Sequence, residues 1–280
     1  LALLAPLLLS LTGAFTYQAV TGLETQLFTL GLMIGIYGFL RRDTPSLVWS
    51  AAGFAIAALT RPEAVALYGL TLLFLLITWK RGDAQRRQVL CFALIFLIPI
   101  ALFQLWRVGT FGDWLPNTYY TKVGTPGETI PEGWKYLYGF FQKHGTFLPW
   151  ALALLPLIWH RWRVREVYLV SIVATQCAIV VYEGGDWMPL HRLLAPMLPA
   201  LFVLLTQGVD IVRQVWNRIQ AQQARPLRGG SWLAAGWLVA VTAALFYPSI
   251  GVMKEARVRP ELYARSHVAM GHWLRQQCRP

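Results

Sequence analysis

The chain has 280 residues, 56% hydrophobic and only 14% charged, with a mean hydropathy of +0.46. Soluble domains average about 25% charged residues, so this composition excludes an ordinary water-solvated domain and points to lipid as the solvent. A formal net charge of +12 would suit a nucleic-acid partner, but the positions of the basic residues exclude that reading, and three scattered cysteines exclude a disulfide framework.

In chain order, apolar blocks fall at roughly 1–17, 23–40, 45–60, 64–79, 88–106, 146–160, 167–182, 193–212 and 231–250. Short Arg-rich or Gly/Pro-rich breaks separate them, without the alternating or three-to-four spacing of half-buried elements. They predict an all-α, polytopic transmembrane helical bundle of about nine spans. Several fall short of the roughly 20 residues that an untilted crossing needs. Cys91 and Cys177 lie inside apolar blocks and read as small core residues. The domain expectation is a membrane region over 1–250 with an outer loop at 107–145, followed at 251–280 by the start of a truncated, non-cytoplasmic region. Leu1–Ser10 lacks the features of a signal peptide, and both ends read as cut from a longer protein.

Threading the spans alternately gathers 13 of the 25 basic residues in loops on one side, among them Arg41, Arg42, Arg86, Arg87, Arg161 and Arg213. Six lie in loops on the other. The positive-inside rule makes the first side cytoplasmic, so the charge reports orientation and no nucleic-acid partner is expected. The basic tail after Gly251 runs against the rule, which is weaker beyond the last span.

Four polar patches, distant in sequence, then share the outer face. Thr21-Gly22-Leu23-Glu24 opens the second span, and its bland reading is a capping box. Thr60-Arg61-Pro62-Glu63 is a tight turn whose ion pair could be structural; a loop this short also places Arg61 to meet a lipid phosphate. Asp113, Asn117, Tyr119, Tyr120 and Lys122 open the longest outer loop, where an aromatic interfacial belt explains the rings better than the polar groups. Glu183-Gly184-Gly185-Asp186, with His191 and Arg192, packs carboxylates, imidazole and guanidinium into ten residues. There the glycines permit close approach, His191 and Arg192 can bind phosphate, and Asp186 can orient a hydroxyl or act as a base. The Gly-Asp-Trp-(Leu/Met)-Pro segments at 112–116 and 185–189 read as a shared turn, with Asp at a helix cap.

No Cys or His pair has metal-ligand spacing, no Ser sits in a nucleophile elbow and no phosphate-binding glycine loop is present, so the metal and nucleophile readings are weak, no cofactor is assigned and a metal requirement is left open. A site on the outer face would need an activated donor that arrives already attached to lipid.

Gly22-Leu23-Glu24-Thr25, Arg61-Pro62-Glu63, the Asp113–Lys122 run and Gly184-Gly185-Asp186-Trp187-Met188 followed by His191-Arg192 resemble the GT-C superfamily of membrane glycosyltransferases. The resemblance is nearest to terminal arabinofuranosyltransferase-like members, with protein O-mannosyltransferase-like ones behind. It implies a polyprenyl-phosphate sugar donor, transfer to a glycan, lipid or protein hydroxyl on the non-cytoplasmic face of the plasma (inner) membrane, and inversion at the anomeric carbon. It also implies an acidic base in a first outer loop that this chain is expected to lack. Glu24, Arg61, Glu63, Asn117, Tyr119, Tyr120, Lys122, His191 and Arg192 are the expected donor-phosphate and substrate contacts, with Asp113 and Asp186 toward sugar or acceptor. The alternative is a transporter or flippase of envelope precursors, which calls for ionisable residues near mid-membrane and matched broken helices. The sequence places its strong charges at loops instead.

Overall fold

The computed structural model describes residues 3–41, 43–78, 83–114, 126–143, 147–186, 189–222 and 268–277, with isolated positions at 236 and 250–251. Every regular element among them is helical. In chain order these are α1 (Leu4–Leu11), α2 (Gly13–Val20), α3 (Thr25–Arg41), α4 (Thr44–Thr60), α5 (Ala64–Thr78), α6 (Asp83–Phe111), α7 (Pro126–Lys143), α8 (Phe147–Leu152), α9 (Leu155–Trp159), α10 (Val164–Glu183), a kinked 3-10 segment at Pro189–Met197, α11 (Leu198–Gln222) and α12 (Ala269–Gln277).

The α3–α4 pair is the most extensive helix contact among the described residues, and small residues explain it. A Cβ on Gly31 would lie 2.8 Å from the Gly53 carbonyl oxygen, and one on Gly53 would lie 2.7 Å from that of Gly31. The Ser50 hydroxyl crosses the seam to donate to the Gly35 carbonyl at 2.6 Å. Lipid gives apolar helices no hydrophobic reason to associate, so backbone approach through glycines and a buried interhelical hydrogen bond supply one. Asp43 caps α4 by accepting the Ser46 N–H at 2.8 Å, with a proline in the first turn. Farther round the bundle, Tyr68 of α5 stacks on Phe92 and Phe96 of α6. The Tyr168 hydroxyl of α10 meets that of Thr71 in α5 at 3.0 Å, both buried. Gln176 of α10 donates to the Leu193 carbonyl at 3.0 Å, which ties the kinked segment to the bundle.

Among the described residues, three helices are long and apolar enough to cross a membrane, at Arg86–Phe111, Val164–Glu183 and Leu190–Ala221. A fourth is reached if α2 and α3, bent by 115° at their break, count as one span. Nine crossings are therefore not what the described residues show. The block expected at 1–17 is broken at Thr12, which is extended (φ −80°, ψ 109°). The helices α4 and α5 have 17 and 15 residues. At 1.5 Å per residue they reach about 25 Å or less, short of the roughly 30 Å of hydrocarbon. The block at 231–250 lies outside the described residues. Leu90, Leu94, Leu97, Leu102 and Leu105 of α6 all face outward, as on a lipid-facing helix. Cys91 shares that exposure, so the expectation that it is a core residue does not hold for it; Cys177 is partly buried.

The expected outer loop is partly helical. The 18 residues of α7 put Gly133, Leu137 and Phe140 on a buried face, at the spacing of successive helical turns, and leave Ile130, Trp134 and Tyr138 exposed. That buried face lies along α10, where Gly133 approaches the Val181 carbonyl so closely that a Cβ would overlap it.

Candidate functional site

Three of the four polar patches meet beside the end of α10. At the break before α3, the Thr21 hydroxyl donates back to the Gln18 carbonyl at 3.0 Å, so it closes α2 and does not cap α3. That sets aside the capping-box reading and leaves the Glu24 carboxylate to face Arg61, with Oε1 3.8 Å from Nη1. In the α4–α5 turn, Arg61 Nη2 and Nε both donate to Glu63 Oε1, at 2.5 and 3.1 Å. The guanidinium lies over the Phe28 ring, 5.5 Å from its centroid.

Both partners are buried, with side chains only 10% and 6% exposed, so Arg61 turns into the protein and not toward headgroups. Burial works against its charge, but Glu63, Glu183 and Glu24 outweigh burial and hold its pKa above the ordinary value. Arg61 Nη1 and Glu63 Oε2 are buried without a hydrogen-bond partner among the described residues. The pair is fixed yet not saturated.

The second pair comes from the most polar stretch of the sequence. Gly184 and Gly185 both adopt left-handed backbone (φ +81° and +82°), ending α10 and turning the chain sharply. Leu190 and His191 are also left-handed (φ +68° and +53°), which costs an L-residue about 1–2 kcal/mol each. These four turns fold the segment back on itself, so that Arg192 Nη2 reaches Asp186 Oδ2 at 2.7 Å. The two side chains are 10% and 4% exposed. Asp186 is thus a buried ion-pair partner, where the sequence suggested a helix cap.

The helix α7 closes the site from above. Tyr136 packs its ring against Gly185, where a Cβ would lie 2.7 Å from Tyr136 Cγ. Its hydroxyl accepts the Leu193 N–H at 3.4 Å. The His191 imidazole stands edge-on to Tyr136 and Phe140, with centroid distances of 4.8 and 5.6 Å. Tyr136 was not among the sequence candidates; the available signal was its neighbourhood on the apolar face that Gly133, Leu137 and Phe140 share.

Asp113 is exposed just past α6, apart from these contacts, beside a Trp114 carbonyl that accepts from Gln104 and Arg107. Asn117, Tyr119, Tyr120 and Lys122 lie outside the described residues. No group of three or more His, Cys, Asp or Glu among the described residues could hold a metal ion.

The chain is similar to the terminal beta-(1->2)-arabinofuranosyltransferase of Corynebacterium glutamicum, at 27% identity over 182 residues. The match covers 58% of this chain and spans 26% of that relative's length. No protein-family model matches the chain, and no solved structure does.

Proposed function

We propose that the chain forms part of a membrane glycosyltransferase that moves a sugar, pentose or hexose, from a polyprenyl-phosphate donor to a hydroxyl of a cell-envelope glycan, lipid or protein on the non-cytoplasmic face. The observation that carries this reading is the meeting of Glu24, Arg61, Glu63, Asp186 and Arg192 from three distant segments, in a chain similar to a terminal arabinofuranosyltransferase. Buried carboxylates held by guanidinium groups are poor metal or nucleotide sites but good acceptors for sugar hydroxyls. Fixed cations beside them oppose the charge that develops on a departing lipid phosphate.

In this scheme Asp186 orients the sugar or acceptor, and Arg192 and His191 face the phosphate. Arg61, paired to Glu63, holds Glu24 and the turn in place and adds to the local field. Asn117, Tyr119, Tyr120 and Lys122 are assigned to the donor phosphate and substrate, and Asp113 to the sugar or acceptor. The test is transfer of radiolabelled sugar from a polyprenyl-phosphate donor by membranes carrying the full-length protein, with Asp186→Asn beside it. Loss of transfer in the variant, with expression and melting behaviour retained, supports the reading. No transfer from any polyprenyl-phosphate donor refutes it and favours a carrier of envelope precursors.

A further inference from the structure

Tyr136 has the surroundings of a ligand contact and lies outside every patch singled out in the sequence. Three independent contacts fix its ring and hydroxyl: the left-handed Gly185 beneath it, the His191 imidazole beside it and the Leu193 N–H donating to its oxygen. Asp186, Arg192 and Arg61 are all close enough to act on its hydroxyl electrostatically. A phenol that accepts one hydrogen bond still has its own proton to give. Among the described residues, the Leu193 N–H is the one hydrogen-bond partner seen for that oxygen.

We propose that Tyr136 is a donor-anchoring residue whose hydroxyl donates to a phosphate oxygen of the lipid-linked sugar, next to the Asp186–Arg192 pair. The assignment rests on the glycosyltransferase reading above and deepens it. Burial pushes the Tyr136 hydroxyl up from its ordinary value of 10.0, so it stays protonated wherever such a reaction is assayed. A neutral donor is what this place needs. The Arg192 cation is already paired at 2.7 Å, and a directional O–H can hold the phosphate without competing for Asp186. Tyr136 also couples ligand to fold, because the helix that carries it packs on α10 through its own Gly133 and on the turn after α10 through Gly184 and Gly185.

The experiment is steady-state kinetics of sugar transfer by the full-length protein and its Tyr136→Phe variant, which keeps the ring and so the contacts to Gly185 and His191. The expected result is a rise of about tenfold or more in KM for the polyprenyl-phosphate sugar, the size of one hydrogen bond to a charged group. Inhibition by free polyprenyl phosphate should weaken in parallel, while KM for the acceptor and the melting temperature stay unchanged. An active wild-type protein whose Tyr136→Phe variant keeps its donor KM overturns the assignment and leaves the glycosyltransferase reading standing. A variant that loses donor and acceptor affinity together with thermal stability assigns Tyr136 a structural role and also overturns it. Absence of transfer by the wild type removes both.

Discussion

The contact between Gly185 and Tyr136 can be broken by a single methyl group. In Gly185→Ala the new Cβ would stand 2.7–2.8 Å from Tyr136 Cγ, Cβ and Cδ2. Carbon atoms in contact sit about 3.5–4.0 Å apart, so the tyrosine must retreat by about 1 Å. Tyr136 Cβ, at 2.8 Å, does not move with the side-chain rotamer, so no rotamer removes the whole overlap and α7 itself has to move. Left-handed backbone costs alanine about 1–2 kcal/mol, and overpacking about 1–3 kcal/mol more.

Gly112 provides the reference: it is also left-handed (φ +77°), but a Cβ there meets nothing within 4 Å. Gly112→Ala therefore bears the backbone cost alone. Thermal denaturation in detergent should show Gly185→Ala destabilised beyond Gly112→Ala by the overpacking share. A shift of about 1 Å in a residue that orients substrate should also lower initial rates of sugar transfer by about a hundredfold. Adding Tyr136→Gly removes all three of these atoms and makes room for the methyl group, so in that background Gly185→Ala should cost no more than Gly112→Ala does. Equal activity and stability of the two alanine variants, or strict additivity in the double variant, would refute the idea that Gly185 exists to seat Tyr136.

Three further outcomes follow from the packing. Glu63→Gln leaves the buried Arg61 cation with Glu24 at 3.8 Å and the field of Glu183, and should cost about 3 kcal/mol in denaturant or thermal unfolding, near the low end for splitting a buried pair. Gly38→Val drives a side chain into the Ser46 carbonyl and the Ser50 Cβ, so the α3–α4 pair should separate; the check is loss of a monodisperse species by size-exclusion chromatography. Asp43 accepts hydrogen bonds from Ser46 and lies beside Arg41, which holds its carboxyl below the ordinary value of 3.8. Its contribution is therefore complete above that value and is lost as pH falls through the lower folded value, so amide exchange at the start of α4 should quicken only in that acid range.

How far the sequence could be read depends on the kind of signal each element carries. The ends of α3, α4, α5 and α10 fall within three residues of the apolar blocks at 23–40, 45–60, 64–79 and 167–182, because charged, proline or glycine residues stop each block. The helix α7 was hidden for the opposite reason. Its Pro126, Gly127, Pro131 and Gly133 read as loop, and only the spacing of Gly133, Leu137 and Phe140 marks a helical face. That Glu24, Arg61, Glu63, Asp186 and Arg192 come together was legible, since the breaks between apolar blocks were expected to share one region. Their pairing was not, because whether Arg61 turns inward or toward headgroups is decided by Phe28 and Glu63 packing around it.

That pairing changes what the site can offer a substrate. Glu24, Glu63, Glu183 and Asp186 set four carboxylates against the two guanidinium groups of Arg61 and Arg192. A ligand bearing a phosphate therefore meets more carboxylates than guanidinium groups among the described residues. Carboxylates in that excess suit the hydroxyl-rich sugar. In the proposed scheme the Tyr136 hydroxyl of α7 and the His191 imidazole of the kinked segment, which lie together, share the phosphate with Arg192. Recognition of the two halves of a phosphosugar would then divide between the carboxylates, which face the sugar, and this group, to which α7 contributes Tyr136. Shifting α7 should weaken donor binding well before it disturbs the acceptor.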